Sequence, residues 1–176
     1  MANYLLVDGY NIIHADEGLA QLAQTDSLES ARLKLCDMLC DFKALSIYRI
    51  ILVFDAHLVS GGVGNVSKHR NITVVFTKEA VTADHYIERA AYKMADKKGD
   101  KITVATSDVL EQLIIMGSGA HRISADALLA QMQAAREKMR TRHIQNRPIK
   151  QNPFINLVDE DTARLLEEMR HAKRNK

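Results

Sequence analysis

Tyr4-Leu5-Leu6-Val7-Asp8-Gly9-Tyr10-Asn11 is the stretch around which the rest of the chain is organised. Leu5, Leu6 and Val7 form an unbroken apolar run, the pattern of a strand covered on both faces of a parallel sheet. The run stops at Asp8, and Gly9 supplies the freedom to turn at once. A carboxylate is therefore expected at the carboxyl end of a central strand, the edge where open α/β sheets bind their ligands. The same event recurs twice. Ile50 to Phe54 runs into Asp55, and Ile102 to Ser107 runs into Asp108.

Between and beyond these runs the spacing changes to a helical one. Leu28, Ala31, Leu35, Met38, Leu39, Phe42 and Leu45 predict an amphipathic helix over 27–46, with Asp26 as its N-cap and Glu29 completing a capping box. The stretch 12–24 reads as partly helical. Ser60 to Arg70 is glycine-rich with a basic end; it lacks the Gly-Lys-Ser/Thr ending of a phosphate-cradling loop and reads as a mobile loop able to contact phosphates. Because it follows Asp55, it is expected on the strand-end side of the sheet. A strand over 72–76 comes next. Thr82 caps a helix over 83–98, on which Asp84 and Glu88 lie four apart and share a face. A strand over 101–106 leads to a short helix at 109–116, a short edge strand at 121–123 and a long helix after the cap Ser124. The apolar side of that long helix is Leu128, Leu129, Met132, Ala135 and Met139. Pro148 and Pro153 bound a linker before a last helix over 159–173. Two parts follow: a domain over 1–147 that includes the long basic helix, and a linker with a helical tail over 148–176.

Strands alternating with helices predict a parallel sheet with right-handed crossovers. If the apolar runs are numbered one to four, a reversal after the third puts the fourth beside the first. The order is then 3-2-1-4, with 121–123 as a fifth strand. Asp8 and Asp108 would flank the crevice at the switch point, with Asp55 one strand away and Asp84 entering from the helix that crosses over. Four clustered carboxylates repel one another unless a cation joins them. All-oxygen ligation selects a hard divalent ion, Mg²⁺ or Mn²⁺, suited to displacement at a phosphoryl group.

Composition narrows the remaining classes. The chain has 176 residues, of which 47% are hydrophobic, enough to bury a core. No segment reads as a signal peptide or a membrane span, so no membrane partner is expected and the expected location is the cytoplasm. Cys36 and Cys40 sit four apart in a helical pattern, and no further cysteine is present to complete a zinc site. Charge is unevenly spread: residues 1–135 carry 13 Lys+Arg against 16 Asp+Glu, a net of −3, and residues 136–176 carry 11 against 6, a net of +5. A basic tail on an acidic body points to a polyanionic partner or to a solvated helix.

The motifs Asp8-Gly9-Tyr10-Asn11, Val53-Phe54-Asp55-Ala56-His57, Phe76-Thr77-Lys78-Glu79, Thr82-Ala83-Asp84 with Ile87-Glu88, and Ala105-Thr106-Ser107-Asp108 resemble those of the YacP-like NYN domains, within the PIN-like nucleases. The resemblance covers residues 3–147. It implies a three-layer PIN-like α/β fold with basic C-terminal helices, and a divalent-metal-dependent endoribonuclease acting on single-stranded RNA. The family includes a ribosome-associated enzyme that cleaves mRNA in the ribosomal A site, which makes mRNA, ribosomal RNA and the ribosome the expected partners. Carried over by motif, Asp8, Asp84 and Asp108 match the catalytic, metal-holding acids, and Asp55 and Glu88 match more loosely. Asn11 and Ser107 would orient carboxylates or water. Lys68, His69 and Arg70, together with Arg136, Arg140 and Arg147, are the expected RNA contacts. The rival readings are a non-catalytic RNA- or ribosome-binding module and a Mg²⁺-dependent phosphatase. Against the phosphatase, the haloacid-dehalogenase pattern needs a second aspartate where Tyr10 stands.

Overall fold

The structure, a computed structural model, describes residues 2–55, 63–78, 81–95, 99–107 and 119–145. The chain divides into two compact units, Met1–Lys138 and Met139–Lys176. In the second, the described part is the end of a helix, residues 139–145.

In the first unit the elements follow as β1 (Asn3–Asp8), α1 (Gly9–Ala15), α2 (Glu17–Thr25), α3 (Leu28–Leu45), β2 (Tyr48–Phe54), β3 (Val63–His69), β4 (Ile72–Lys78), α4 (Ala83–Ala95), β5 (Lys101–Ala105), β6 (His121–Ile123) and α5 (Ala125–Gln145), the last of which continues into the second unit. The strands form one six-stranded sheet in the order β3-β4-β2-β1-β5-β6. The expected 3-2-1-4-5 order is present as β4-β2-β1-β5-β6, all parallel, with β1 central between β2 and β5. The sheet gains one member: Val63–His69, read as loop, is an antiparallel edge strand on β4. Its glycines and polar residues hide it, because an edge strand is fixed by main-chain hydrogen bonds that carry no compositional signal.

Alternation along the strands builds two cores. Leu5, Val7, Ile50, Leu52, Phe54 and Val74 face the side covered by α1, α2, α3 and the start of α5, where Ile12, Ile13, Leu19, Leu35, Leu39 and Leu128 pack on them. Leu6, Val53, Val75, Ile102 and Val104 face the other side, against Ala83, Ile87 and Ala91 of α4. Each central strand is thus buried on both faces, which explains its continuous apolar run.

Local signals set most boundaries. Asp16 caps α2, accepting from the Leu19 N–H at 2.8 Å. Thr82 caps α4 through the His85 N–H at 3.3 Å, and Ser124 caps α5 through the Ala127 N–H at 3.2 Å. For α3 the capping residue is Ser27, not Asp26. The Ser27 hydroxyl accepts from the Ser30 N–H at 3.1 Å, whereas the Asp26 N–H closes the end of α2 on the Leu22 carbonyl. On α5, Met132 is buried but Met139 is 41% exposed, so the apolar side ends before it. The expected helices at 109–116 and 159–173, and the linker between Pro148 and Pro153, lie outside the described residues. No helix among the described residues is long and apolar enough to cross a membrane.

Candidate active site

Asp8 ends the central strand and caps the helix that follows it. Its Oδ1 accepts from the Asn11 N–H at 3.1 Å, and the residue is only 7% exposed. The alternation that sends Leu6 toward α4 sends Asp8 to the same face. Burial holds the Asp8 carboxyl above its ordinary range, hydrogen bonds from Asn11 act the other way, and the negative charge of Asp84 pushes it further up. Asp84, exposed in the first turn of α4, is therefore close enough to be felt at Asp8. Asp55 directly follows Phe54 at the same strand-end edge and is partly buried, while Glu88 is exposed one turn beyond Asp84.

Asn11 contributes twice. Its backbone holds Asp8, and its side-chain amide donates to the Thr106 hydroxyl at 3.2 Å. Thr106 is fully buried, and its own N–H donates to the Ile123 carbonyl at 3.2 Å. A chain of contacts thus ties the cap of the central strand to the end of β5. Sequence reasoning misses Thr106 because it reads as part of an apolar run; a hydroxyl beside the expected acid is the available clue. Ser107 follows it, exposed, and Asp108 lies outside the described residues.

The first three basic candidates lie elsewhere. Lys68, His69 and Arg70 are expected on the strand-end side, since they follow Asp55 in sequence. The register corrects this placement: β3 runs back along β4, pairing Val63 with Lys78 and His69 with Ile72. They end at the opposite edge, about 20 Å away at ~3.3 Å per residue along β4. There His69 Nε2 lies 3.2 Å and Arg70 Nη1 3.5 Å from Asp37 Oδ1. The hydrogen bond with His69, foremost, holds the Asp37 carboxyl below its ordinary range. Arg70 adopts a φ of 52°, uncommon for a residue with a side chain, in the tight turn this anchors. Arg136 and Arg140 are exposed on α5, and Arg147 lies outside the described residues.

The two cysteines are buried and free. Burial, with Cys40 and Asp37 adding, pushes the Cys36 thiol up to about 11, so it stays protonated at neutral pH and supplies neither a nucleophile nor a thiolate ligand.

The sheet, with a buried aspartate ending its central strand, is that of a nuclease-like NYN domain. The model of the YacP-like NYN domain family matches residues 5–171, and the chain belongs to that family. Its relatives include the YacP protein of Bacillus subtilis strain 168, 41% identical over 138 residues that span 78% of this chain and 79% of that protein. The crystal structure of Rae1 (YacP) from Bacillus subtilis superposes with a TM-score of 0.71 at 35% identity, covering 98% of this chain and 95% of that one. A point mutant of Rae1 gives a TM-score of 0.69 at 38% identity, over 84% and 86% of the two chains.

Proposed function

We propose that the protein is a divalent-metal-dependent endoribonuclease that cleaves single-stranded RNA, with mRNA on the ribosome as its setting. The observation that carries the reading is the buried Asp8 carboxylate with the charge of Asp84 acting on it. Two anions whose fields overlap at a partly desolvated edge are stabilised by a cation, and their oxygens suit Mg²⁺ or Mn²⁺. No three His, Cys, Asp or Glu side chains among the described residues are grouped to hold a metal ion. Asp108, the third acid of the expected set, lies outside those residues. On the donors described, Asp8 and Asp84 fit such an ion and would hold it, with Asp108 as the third ligand expected from the sequence. When bound, the ion supplies positive charge to the phosphoryl oxygens and acidifies an attacking water.

The protein's own part is preorganisation. Asn11 fixes the Asp8 carboxylate through its N–H, and Thr106 fixes the Asn11 side chain, so neither acid-orienting contact has to form during the reaction. Asp55, at the same edge, would orient or deprotonate water. The test is cleavage of a single-stranded oligoribonucleotide by the full chain with Mn²⁺. Cleavage should stop with EDTA and fall about a hundredfold or more in Asp84→Asn. Intact RNA with wild type and Mn²⁺, or cleavage indifferent to EDTA, would refute the proposal.

The ribosomal setting rests on charge. Residues 136–150 carry Arg136, Lys138, Arg140, Arg142, Arg147 and Lys150 against the single acid Glu137. Carboxylates at i,i+4 spacing would normally balance such a run, and the unbalanced charge costs self-repulsion unless a polyanion is near. Replacing Arg136, Arg140 and Arg147 with Gln keeps helix propensity and removes charge. The triple variant should bind RNA and ribosomes less tightly at low salt. Its salt slope should be smaller by about 0.7 for each single-strand phosphate it no longer engages. Parental affinity at low salt would leave the segment a merely solvated basic run.

A further inference from the structure

We infer that Arg32 is a phosphate-binding residue of the RNA path, an inference that rests on the nuclease reading of the Asp8 site. Arg32 lies on α3, one residue past the buried Ala31, where a long cation would ordinarily reach into solvent or meet a carboxylate. It does neither. Its guanidinium carbon sits 5.9 Å from the centroid of the Phe76 ring, and its Nη1 donates to the Tyr10 hydroxyl at 3.0 Å. The Tyr10 ring packs at 5.2 Å on Phe54, which stacks on Phe76 at 5.5 Å with 23° between the planes. Phe54 and Phe76 are register partners near the carboxyl ends of β2 and β4, and Tyr10 comes two residues after Asp8. Three rings therefore form a shelf that holds a partly buried guanidinium at the strand-end edge.

The charge on that shelf is not neutralised. A tyrosine hydroxyl is neutral and takes one of the five N–H groups, and a ring face attracts a cation without cancelling it. Among the described residues Arg32 enters no ion pair; the acid further along α3, Asp37, is engaged by His69 and Arg70. A rigid fork with donors left over and no carboxylate is completed by a planar pair of phosphate oxygens. Phe54 and Phe76 belong to the α3 side of the sheet, whereas Asp8 faces α4. Arg32 thus holds a phosphate flanking the attacked one, where a strand crosses the sheet edge from one face to the other. The ligand is the phosphodiester backbone, contacted without reading bases.

The test measures binding rather than cleavage, in the full chain carrying Asp8→Asn, with labelled single-stranded oligouridylate titrated across a range of KCl. Arg32→Gln should weaken the Kd about tenfold at low salt. It should also lower the slope of log K against log salt by about 0.7. Arg32→Lys should keep the slope and recover only part of the affinity, because an ammonium lacks the fork. Tyr10→Phe keeps the charge but frees the guanidinium, and should cost about threefold. Parental Kd and slope in Arg32→Gln overturn the inference. If that variant fails to fold by circular dichroism, Tyr10→Phe decides, a loss supporting and parental affinity overturning it. Failure of the nuclease reading itself appears separately, as the absence of cleavage by the unmodified chain with Mn²⁺.

Discussion

Asp8→Asn is expected to abolish RNA cleavage while raising the melting temperature at neutral pH. The activity loss follows from removing the one acid that, among the described residues, is both buried and fixed at the end of the central strand. The stability gain follows from linkage. Burial and the charge of Asp84 raise the Asp8 pKa in the folded chain above its unfolded value. The stability Asp8 contributes is then fully present below the unfolded pKa of about 3.9 and is lost as pH rises through the folded value. At pH 7 the wild type bears that penalty and the Asn variant does not, while Asn retains the ability to cap α1. Near pH 3.5 wild-type Asp8 is largely protonated in both states and the two proteins should melt nearly together. For a chain of this size each 1 kcal/mol moves Tm by roughly 2–4 °C, so a gain of a few degrees is the expected scale. Mn²⁺ should raise the Tm of wild type and leave the variant's nearly unchanged, because ligands that bind the folded state stabilise it. Wild-type cleavage by the Asn variant would remove Asp8 from the chemistry. A Tm gain that persists unchanged in acid would show that desolvation is not its cause.

The parts of this molecule legible in its sequence are those where one side chain reports one environment. Leu5 to Val7 and Ile50 to Phe54 are apolar without interruption because both faces of β1 and β2 are covered, and the strand order follows from the chain reversal after β4. The caps Thr82 and Ser124 are equally readable, since a hydroxyl before an apolar-periodic run has a local cause. Asp26 shows the limit of that rule: with two capping residues in succession, the backbone of Ser27, extended at φ −162°, decides which one serves α3. Strand β3 is unreadable because its partner, not its composition, makes it a strand. Reading it as a loop puts Lys68, His69 and Arg70 at the wrong end of the sheet, away from the Asp37 that engages the last two. The approach of Asp84 to Asp8 can be anticipated from topology, because a crossover helix must start at the strand-end edge. The setting of Arg32 cannot, because it depends on three aromatic rings from α1, β2 and β4 meeting over a helix that reads as ordinarily amphipathic.

Gly9→Ala is expected to destabilise the fold and weaken cleavage together, although glycine in a helix normally gains from the change. Gly9 is the first residue of α1 and is buried. A Cβ there would lie 2.5 Å from Phe54 Cδ1, 2.8 Å from Cζ and closer still to Cε1. Such contacts are cheap only against a side chain that can swing away. Phe54 cannot: it is fully buried, with the rings of Tyr10 and Phe76 packed against it. Overpacking of this kind costs about 1–3 kcal/mol. The gain from replacing glycine in a helix interior is at most about 1 kcal/mol, and smaller at a first turn where most N–H groups have no helical partner. The clash should therefore win, lowering Tm by several degrees at roughly 2–4 °C per kcal/mol. The strain falls between Asp8 and Tyr10, so the same methyl should disturb the acid on one side and the Arg32 shelf on the other. Cleavage should drop more than the folded fraction explains. Making room should reverse part of the effect: Gly9→Ala combined with Phe54→Leu is expected to be more stable than the sum of the two single losses, by about 1 kcal/mol in a double-mutant cycle. If Gly9→Ala melts at or above the wild-type temperature, helix propensity outweighs the contact and the close approach of Gly9 to Phe54 is not a constraint on the site.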